Sequence, residues 1–260
     1  LFTGIFITWV FWTVDWDYTR LAAHYEHRPP YALATIEQMI AAASLQQGDE
    51  VCDIGAGTGH LTVELLSLGL QVTAIEPNSA MRGVGMRRTL NYPEMSWVAA
   101  AGEVTGLPED RFRLVSFGSS FNVVRQLDAL KEASRILRSD GRFACLWNHR
   151  DLDDPLQAEI EAFIRSMLPA YTYGVRREDP TGVIMTSGLF AEPVYYEATV
   201  RHLLPAMVFS EGWRSHATLQ RQAGERFGEL VSGIDDLIKQ TGQDDITVPY
   251  TTRLWMASCG

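Results

Sequence analysis

Lysine is almost absent from this chain: Lys131 and Lys239 are the only two among 22 basic residues. Neither follows a glycine-rich turn, so a phosphate-binding Gly-Lys-Ser/Thr loop is excluded. Cysteine is scarce as well. Cys52, Cys145 and Cys259 are odd in number and lack Cys-x-x-Cys spacing. That excludes a disulfide framework and a thiolate zinc site, so no metal is expected. Two of them lie in apolar strand-like runs and the third is beside the C-terminus, the pattern of a reduced, cytoplasmic protein. Positive charge is in deficit. A formal net charge of -10 argues against nucleic acid as the main partner, because phosphate recognition needs a basic face. It argues, more weakly, against an anionic membrane surface.

Long apolar runs are also missing. Residues 1–14 carry no acidic or basic side chain. They still fall short of the roughly 20 residues that a membrane span requires. No basic segment and no small-residue cleavage site mark them as a signal peptide. They read as an extension outside the domain, from a misassigned start or a non-native leader. A strand or arm over the core, a dimer contact and an interfacial anchor are the other readings. The sequence leaves the oligomeric state open.

What is present is a chain of 260 residues with 46% hydrophobic content, enough for one large domain over 15–260. Strand-like and helical segments alternate from Val51 to Trp147. Strands are expected at 51–54, 72–75, 97–101, 112–117 and 142–147. Helices are expected at 19–27, 33–44, 60–68, from a cap at Asn78 or Ser79 to 90, and at 128–137. This rhythm implies a parallel sheet with helices on both faces. It changes after Arg150. A helix at 155–168 and irregular chain at 169–188 read as a cap over the active site, spanning 151–190. Alternating runs at 194–204 and 246–257 flank a long helical region at 215–240.

The most informative stretch is Glu50-Val51-Cys52-Asp53-Ile54-Gly55-Ala56-Gly57-Thr58-Gly59-His60. It reads as a buried strand, a tight glycine turn and the start of a helix. Glycines at 55, 57 and 59 let the backbone approach a ligand, because no Cβ intervenes. Glu76, about 20 residues on, ends the next strand, where a carboxylate can accept hydrogen bonds from a ribose diol. The dinucleotide pattern Gly-x-Gly-x-x-Gly needs a glycine at position 60, which is His60.

Asp-x-Gly-x-Gly-x-Gly from Asp53 to Gly59 resembles motif I of the class I S-adenosylmethionine (SAM) methyltransferases. The chain is similar to their type 11 branch over residues 18–150. Tyr25 to Tyr31 resembles a Tyr-x-x-Arg-Pro-x-Tyr segment that closes over the cofactor. Gly102 to Pro108 resembles the loop that borders the adenine. Ala133 to Gly141 and Leu146 to Asp151 resemble the segments around strand five. Two positions depart from the pattern. Asn122 stands where members often carry histidine, and Arg113 where they often carry aspartate. The resemblance implies an α/β Rossmann-like fold with a seven-stranded, mostly parallel sheet, an antiparallel strand at its edge and a cap insertion.

It also implies roles. Gly55, Gly57 and Gly59 admit SAM, Asp53 orders the loop and meets the methionine ammonium directly or through water, and Glu76 holds the ribose. Met81 packs on the adenine, with Gly102 and Glu103 at its edge. Ser119 and Ser120 lie near the methionine end, and Tyr18 or Arg28 closes the lid. S-adenosylhomocysteine (SAH) is then the product and a small molecule the acceptor. The net charge and the inserted cap favour that acceptor over tRNA or DNA.

Methyl transfer needs a base only when the acceptor is protonated. His149, after strand five, is the leading candidate, its alternative being a loop hydrogen bond. Asn122 can orient an acceptor but cannot serve as a base. His216 is either a pocket residue of the C-terminal cap or a helix-start residue. Arg150, Arg176 and Arg177 are either solvated surface charge or ligands for an anionic substrate. Tyr171 and Tyr173 are candidates for the mouth of a pocket for a planar or sugar-like acceptor. The competing functions are SAM binding with non-methylating chemistry (cyclase or carboxyl transfer), nicotinamide oxidation, which His60 opposes, and a non-catalytic binding role.

Overall fold

Strand β1, Glu50–Ile54, is buried on both faces from Val51 to Ile54, and its apolar run has no alternation to expose. Such a strand belongs in the interior of a parallel sheet, and parallel neighbours need helical crossovers. The computed structural model describes residues 17–260, so the reading of 1–14 lies outside the described residues. Helices α1 (Ala22–Tyr25) and α2 (Leu33–Ala42) precede β1. Then come α3 (His60–Ser67), β2 (Gln71–Ile75), α4 (Ser79–Arg88), β3 (Met95–Val98), β4 (Phe112–Gly118), α5 (Gln126–Ile136) and β5 (Leu137–Arg150). The remainder is α6 (Pro155–Met167), a 3-10 turn (Gly174–Arg177), α7 (Thr181–Thr186), β6 (Val194–Pro205), α8 (Ala206–Trp213), α9 (Ala217–Ala223), a second 3-10 turn, α10 (Phe227–Gln240) and β7 (Asp245–Ser258).

The seven strands form one sheet in the order β3-β2-β1-β4-β5-β7-β6. Strands β1 to β5 run parallel, and β7 enters antiparallel between β5 and β6. The fold is the expected α/β Rossmann-like one. On one face, Phe112, Phe117, Phe121 and Phe143 are fully buried against α5 and Ile184 of α7. Each such side chain contributes roughly 1.5–3 kcal/mol by leaving water. On the other face, Ile36 and Met39 of α2 and Leu61, Leu65 and Leu66 of α3 cover Leu114, Leu146 and Leu254. A third cluster joins α6, α8, α9 and α10 to Ile246 and Val248 of β7. In it α10 lies close on α6, because Gly233 leaves room for the Phe163 ring.

Element boundaries differ from expectation for identifiable reasons. Asn78 does cap α4, accepting from Ala80 and Met81 amides, and Asp154 caps α6. The helix expected at 19–27 shrinks to α1. Strand β3 starts at Met95 and ends at Val98, as its pairing with β2 runs Val72↔Met95 to Ile75↔Val98. Strand β5 starts earlier than Arg142, because Leu137 is already extended and pairs with Phe112. It continues to Arg150 because β7 offers partners to Tyr250. The region 169–188 is not irregular throughout. It holds the 3-10 turn and α7, anchored by buried Ile184. The long helix expected at 215–240 is broken at Gly224, whose φ is 55°.

Candidate functional site

The parallel strands deliver their carboxyl ends to one cavity of about 350 Å³. Its floor is the turn after β1. The amides of Gly55 and Ala56 both donate to the Ile75 carbonyl, at 2.8 and 3.0 Å, so the turn is tied to the end of β2. Gly55, Gly57 and Gly59 have φ of 67°, 60° and 80°, a region costly for any residue with a Cβ. A Cβ on Gly55 would stand 2.5 Å from that of Ser120, and one on Gly57 would stand 3.2 Å from Met81 Cε. Gly55 and Gly57 line the cavity. Gly59 caps α3 instead and is not on the wall.

Glu76, next after β2, is buried and lines the cavity. Its Oε2 accepts from Gly57 N at 2.9 Å and its Oε1 from Asn78 N at 2.8 Å. Each oxygen keeps a second lone pair for a ligand hydroxyl. Burial raises its pKa, and the two amides oppose that rise. Asp53 lies beneath the turn. Thr62 Oγ1 donates to Oδ2 at 2.7 Å and Ser116 Oγ to Oδ1 at 3.3 Å. Complete burial lifts its pKa to about 7 despite those hydrogen bonds.

Met81, Gly102, Glu103, Ser119, Tyr18 and Arg28 also line this cavity. Glu103 is anchored by the Arg125 amide at 2.8 Å. Ser119 turns out of β4 with φ 56° and shares a hydrogen bond of 3.0 Å with the Tyr31 hydroxyl. A left-handed serine is strained, and such strain concentrates at functional sites. Tyr18 packs edge-on to Tyr25, with centroids 5.8 Å apart. Arg28 lies over the Tyr25 ring and donates to Ser215 Oγ at 2.8 Å and to the Ser215 carbonyl at 2.9 Å. It thereby ties the N-terminal segment to the helical cluster.

His149 sits at the end of β5, on the cavity wall and 5% exposed. Both ring nitrogens are buried without a partner. Burial, and after it the positive charges of Arg176, Arg177 and Arg253, lower its pKa to about 3. The ring is therefore neutral at ordinary pH. Asn122 is placed differently. Its Oδ1 accepts from Trp147 Nε1 at 2.8 Å, and it does not line the cavity. His216 fits both of its readings: its Nδ1 caps α9 by accepting from Leu219 N at 3.3 Å, and it lines the cavity, stacked on Trp213. Tyr173 is on the wall, while Tyr171 is buried beside it.

Arg150, Arg176 and Arg177 all face this cavity. So do Phe209, Trp213 and Tyr250, which sequence reasoning missed. No local pattern marks them. They arrive through α8 and through the register that sets Tyr250 of β7 beside Arg150 of β5. His60, noted only as a missing glycine, lines the cavity as well, with Nδ1 within 3.1 Å of Thr58 Oγ1.

With this geometry in view, the likenesses to known proteins are specific. Residues 52–145 match the family described as methyltransferase domain. An uncharacterized methyltransferase of Mycobacterium tuberculosis is 32% identical over 133 residues, covering 51% of this chain and 52% of that protein. A ubiquinone/menaquinone biosynthesis C-methyltransferase of Rubrivivax gelatinosus is 26% identical over 110 residues, 42% of this chain and 43% of that protein. An rRNA adenine N-6-methyltransferase of Lysinibacillus sphaericus is 30% identical over 146 residues, 53% and 59% of the two chains. The chain thus spans about half the length of the curated relatives it matches. Among solved structures, a protein of Anaeromyxobacter dehalogenans assigned as a type II methyltransferase superposes with TM-score 0.65 at 18% identity, covering 88% of this chain and 96% of that one. A phosphoethanolamine N-methyltransferase of Haemonchus contortus in complex with SAM superposes with TM-score 0.54 at 14% identity, covering 93% and 57%.

Proposed function

We propose that this chain, whose residues 52–145 match the methyltransferase-domain family on a class I fold, transfers the methyl group of SAM to a small-molecule acceptor. The observation that carries the reading is Glu76. It is a buried carboxylate at the tip of β2, joined to the glycine turn and open to the cavity. The donor set suits this cofactor. Glu76 has lone pairs for a ribose diol, and Asp53 offers a carboxylate for an ammonium. Arg28 faces the cavity with no carboxylate partner among the described residues, and suits the cofactor's own carboxylate. Met81, 3% exposed beside Gly57, offers an apolar surface for the adenine, with Gly102 and Glu103 at its rim.

The cofactor supplies an activated methyl group whose leaving group departs without protonation. The chain's own work is to hold the acceptor in line, keep water out and receive a proton where the acceptor has one. The α6 to α10 cluster roofs the cavity and brings Phe209 and Trp213 to its wall, which excludes water. His149, a neutral imidazole with both nitrogens buried, is the group for the proton once a bound acceptor offsets the charges that lower its pKa. A small acceptor is favoured by the cavity's volume of about 350 Å³ and by the net charge of -10, which disfavours a polyanionic nucleic acid.

Calorimetric titration with SAM and SAH, beside Glu76→Ala and an NAD control, tests the reading. Micromolar SAM binding that the variant loses is the expected result. A folded, cofactor-free wild type that ignores SAM overturns it.

A further inference from the structure

We infer that the methyl acceptor is an anion, a small molecule whose carboxylate or phosphate group sits against Arg176 and Arg150 in the roof of the cavity. The inference rests on the methyltransferase reading and names the acceptor class for the same site.

The cavity has more donors than the protein can satisfy. Arg150 is 8% exposed at its side chain, and Glu161 Oε2 takes only its Nη2, at 3.0 Å. Its Nη1 is buried without a partner, and so is the indole Nε1 of Trp213, on whose ring Arg150 lies. Both are donors only, so their missing partner is an acceptor. Arg176 is half-buried, and its Nη2 donates to the Asn148 carbonyl at 3.2 Å. It has no carboxylate partner among the described residues. Burial, and then Arg28, work against its charge. Arg177, over the Tyr173 ring, donates to the Arg150 carbonyl at 3.2 Å and feels Glu161 only from beyond ion-pair distance.

Other arginines of the chain are neutralised side by side with an acid. Arg111, Arg135, Arg165 and Arg214 each meet an acid within 3.3 Å. The acids on the cavity wall are Asp53, Glu76 and Glu103, all already hydrogen-bonded within the protein. Arg28, Arg176 and Arg177 therefore line the cavity without an ion pair among the described residues, beside Arg150, in a chain that is acidic overall. Leaving several arginines together in a half-dry pocket is costly unless a ligand supplies the counter-charge. A planar guanidinium also matches a carboxylate or phosphate in two-point contact. Phe209, Trp213 and Tyr250 wall the space around these groups, which suits an acceptor with a flat apolar body.

The test uses SAH-saturated protein and ligand-observed NMR titration of benzoate, phenyl phosphate, neutral benzamide and cationic benzylamine. The expected result is at least about tenfold tighter binding of an anion than of benzamide, the scale of one charge-assisted hydrogen bond. The tighter of the two anions identifies the head group. Arg176→Gln removes the preference, Arg176→Lys keeps part of it, and both bind SAH like the wild type. Equal binding of benzamide and the anions, or no anion binding, overturns the inference. Loss of SAH affinity in Arg176→Gln also overturns it, by assigning the arginine to the cofactor. The two readings fail separately. A wild type that does not bind SAH sinks the cofactor reading, whereas an SAH-binding protein without anion preference sinks only this one.

Discussion

The carboxylate of Glu76 accepts the amide proton of Gly57 at 2.9 Å, so the end of β2 and the glycine turn after β1 are one rigid unit. The same carboxylate fixes Asn78, the cap of α4, at 2.8 Å. One side chain therefore aligns three segments and still faces the cavity.

Glu76→Gln follows from this as a measurable loss. An amide presents one acceptor oxygen in place of two and turns an NH₂ toward either Gly57 N or Asn78 N. Hydrogen bonds to charged groups are worth about 1.5–3 kcal/mol, so SAM affinity should fall roughly 10- to 100-fold. Calorimetry of the folded variant measures it. An unchanged dissociation constant would mean that the ribose is held elsewhere.

Asp53 predicts opposite pH slopes for stability and for binding. Burial raises its folded pKa to about 7, whereas an unfolded aspartate titrates near ~3.9. The folded state binds the proton more tightly across that window. The group's contribution to stability is thus complete below the unfolded value and is lost as pH rises through 7. Contact with the cofactor ammonium favours the ionised form. SAM affinity should then be roughly tenfold higher at pH 8 than at pH 6. Asp53→Asn should flatten both dependences. Titrations and thermal melts at the two pH values check this, and a wild-type affinity indifferent to pH would remove the direct contact.

The parts of the site that were legible are those where sequence neighbours are spatial neighbours. Asp53, Gly55, Gly57 and Glu76 lie on two adjacent strands and their turns, and glycine spacing plus one acid describes that geometry. The roof is another matter. Arg176 meets Asn148 across 28 positions, and Arg28 meets Ser215 across 187. Nothing in the sequence marks Trp213 and Tyr250, because packing of α8 and strand register, not periodicity, bring them to the wall. Gly224 was visible as glycine, but the break it imposes between α9 and α10 depends on a positive φ that composition does not reveal.

Asn122 should behave as a structural residue. Its oxygen is the partner of Trp147 Nε1, in a tryptophan that is 2% exposed. Asn122→Ala leaves that donor buried and unpaired, at a cost of about 1–3 kcal/mol. Urea denaturation should show the loss, while SAM affinity and turnover by the remaining folded protein stay near wild type. A variant of normal stability and low kcat would reverse the assignment and give Asn122 a place at the acceptor.

His149 predicts both an acid sensitivity and a rate effect. Its folded pKa is near 3, against about 6.5 in an unfolded chain. Below that unfolded value the unfolded state takes up a proton that the folded ring refuses. Stability is therefore lost as pH falls from about 6.5 toward 3. Half-buried His60 and His216 add to the same slope, while Asp53 opposes it, so His149→Asn must be compared with the wild type rather than read alone. The variant should be less sensitive to acid in thermal melts. A ring held near pKa 3 is a weak base, so His149 can act as the proton acceptor only when a bound acceptor offsets the charges of Arg176 and Arg177; it should then account for roughly 10²-fold or more in kcat, with SAM affinity unchanged. The free protein's kcat/KM should show no limb near pH 6.5 from this ring, because burial, Arg176 and Arg177 on the 3-10 turn, and Arg253 on β7 keep it neutral there. Full kcat in His149→Asn on an acceptor that must lose a proton would leave the ring a positioning role only. An acceptor that carries no proton should be indifferent to the substitution, and that contrast separates chemistry from packing.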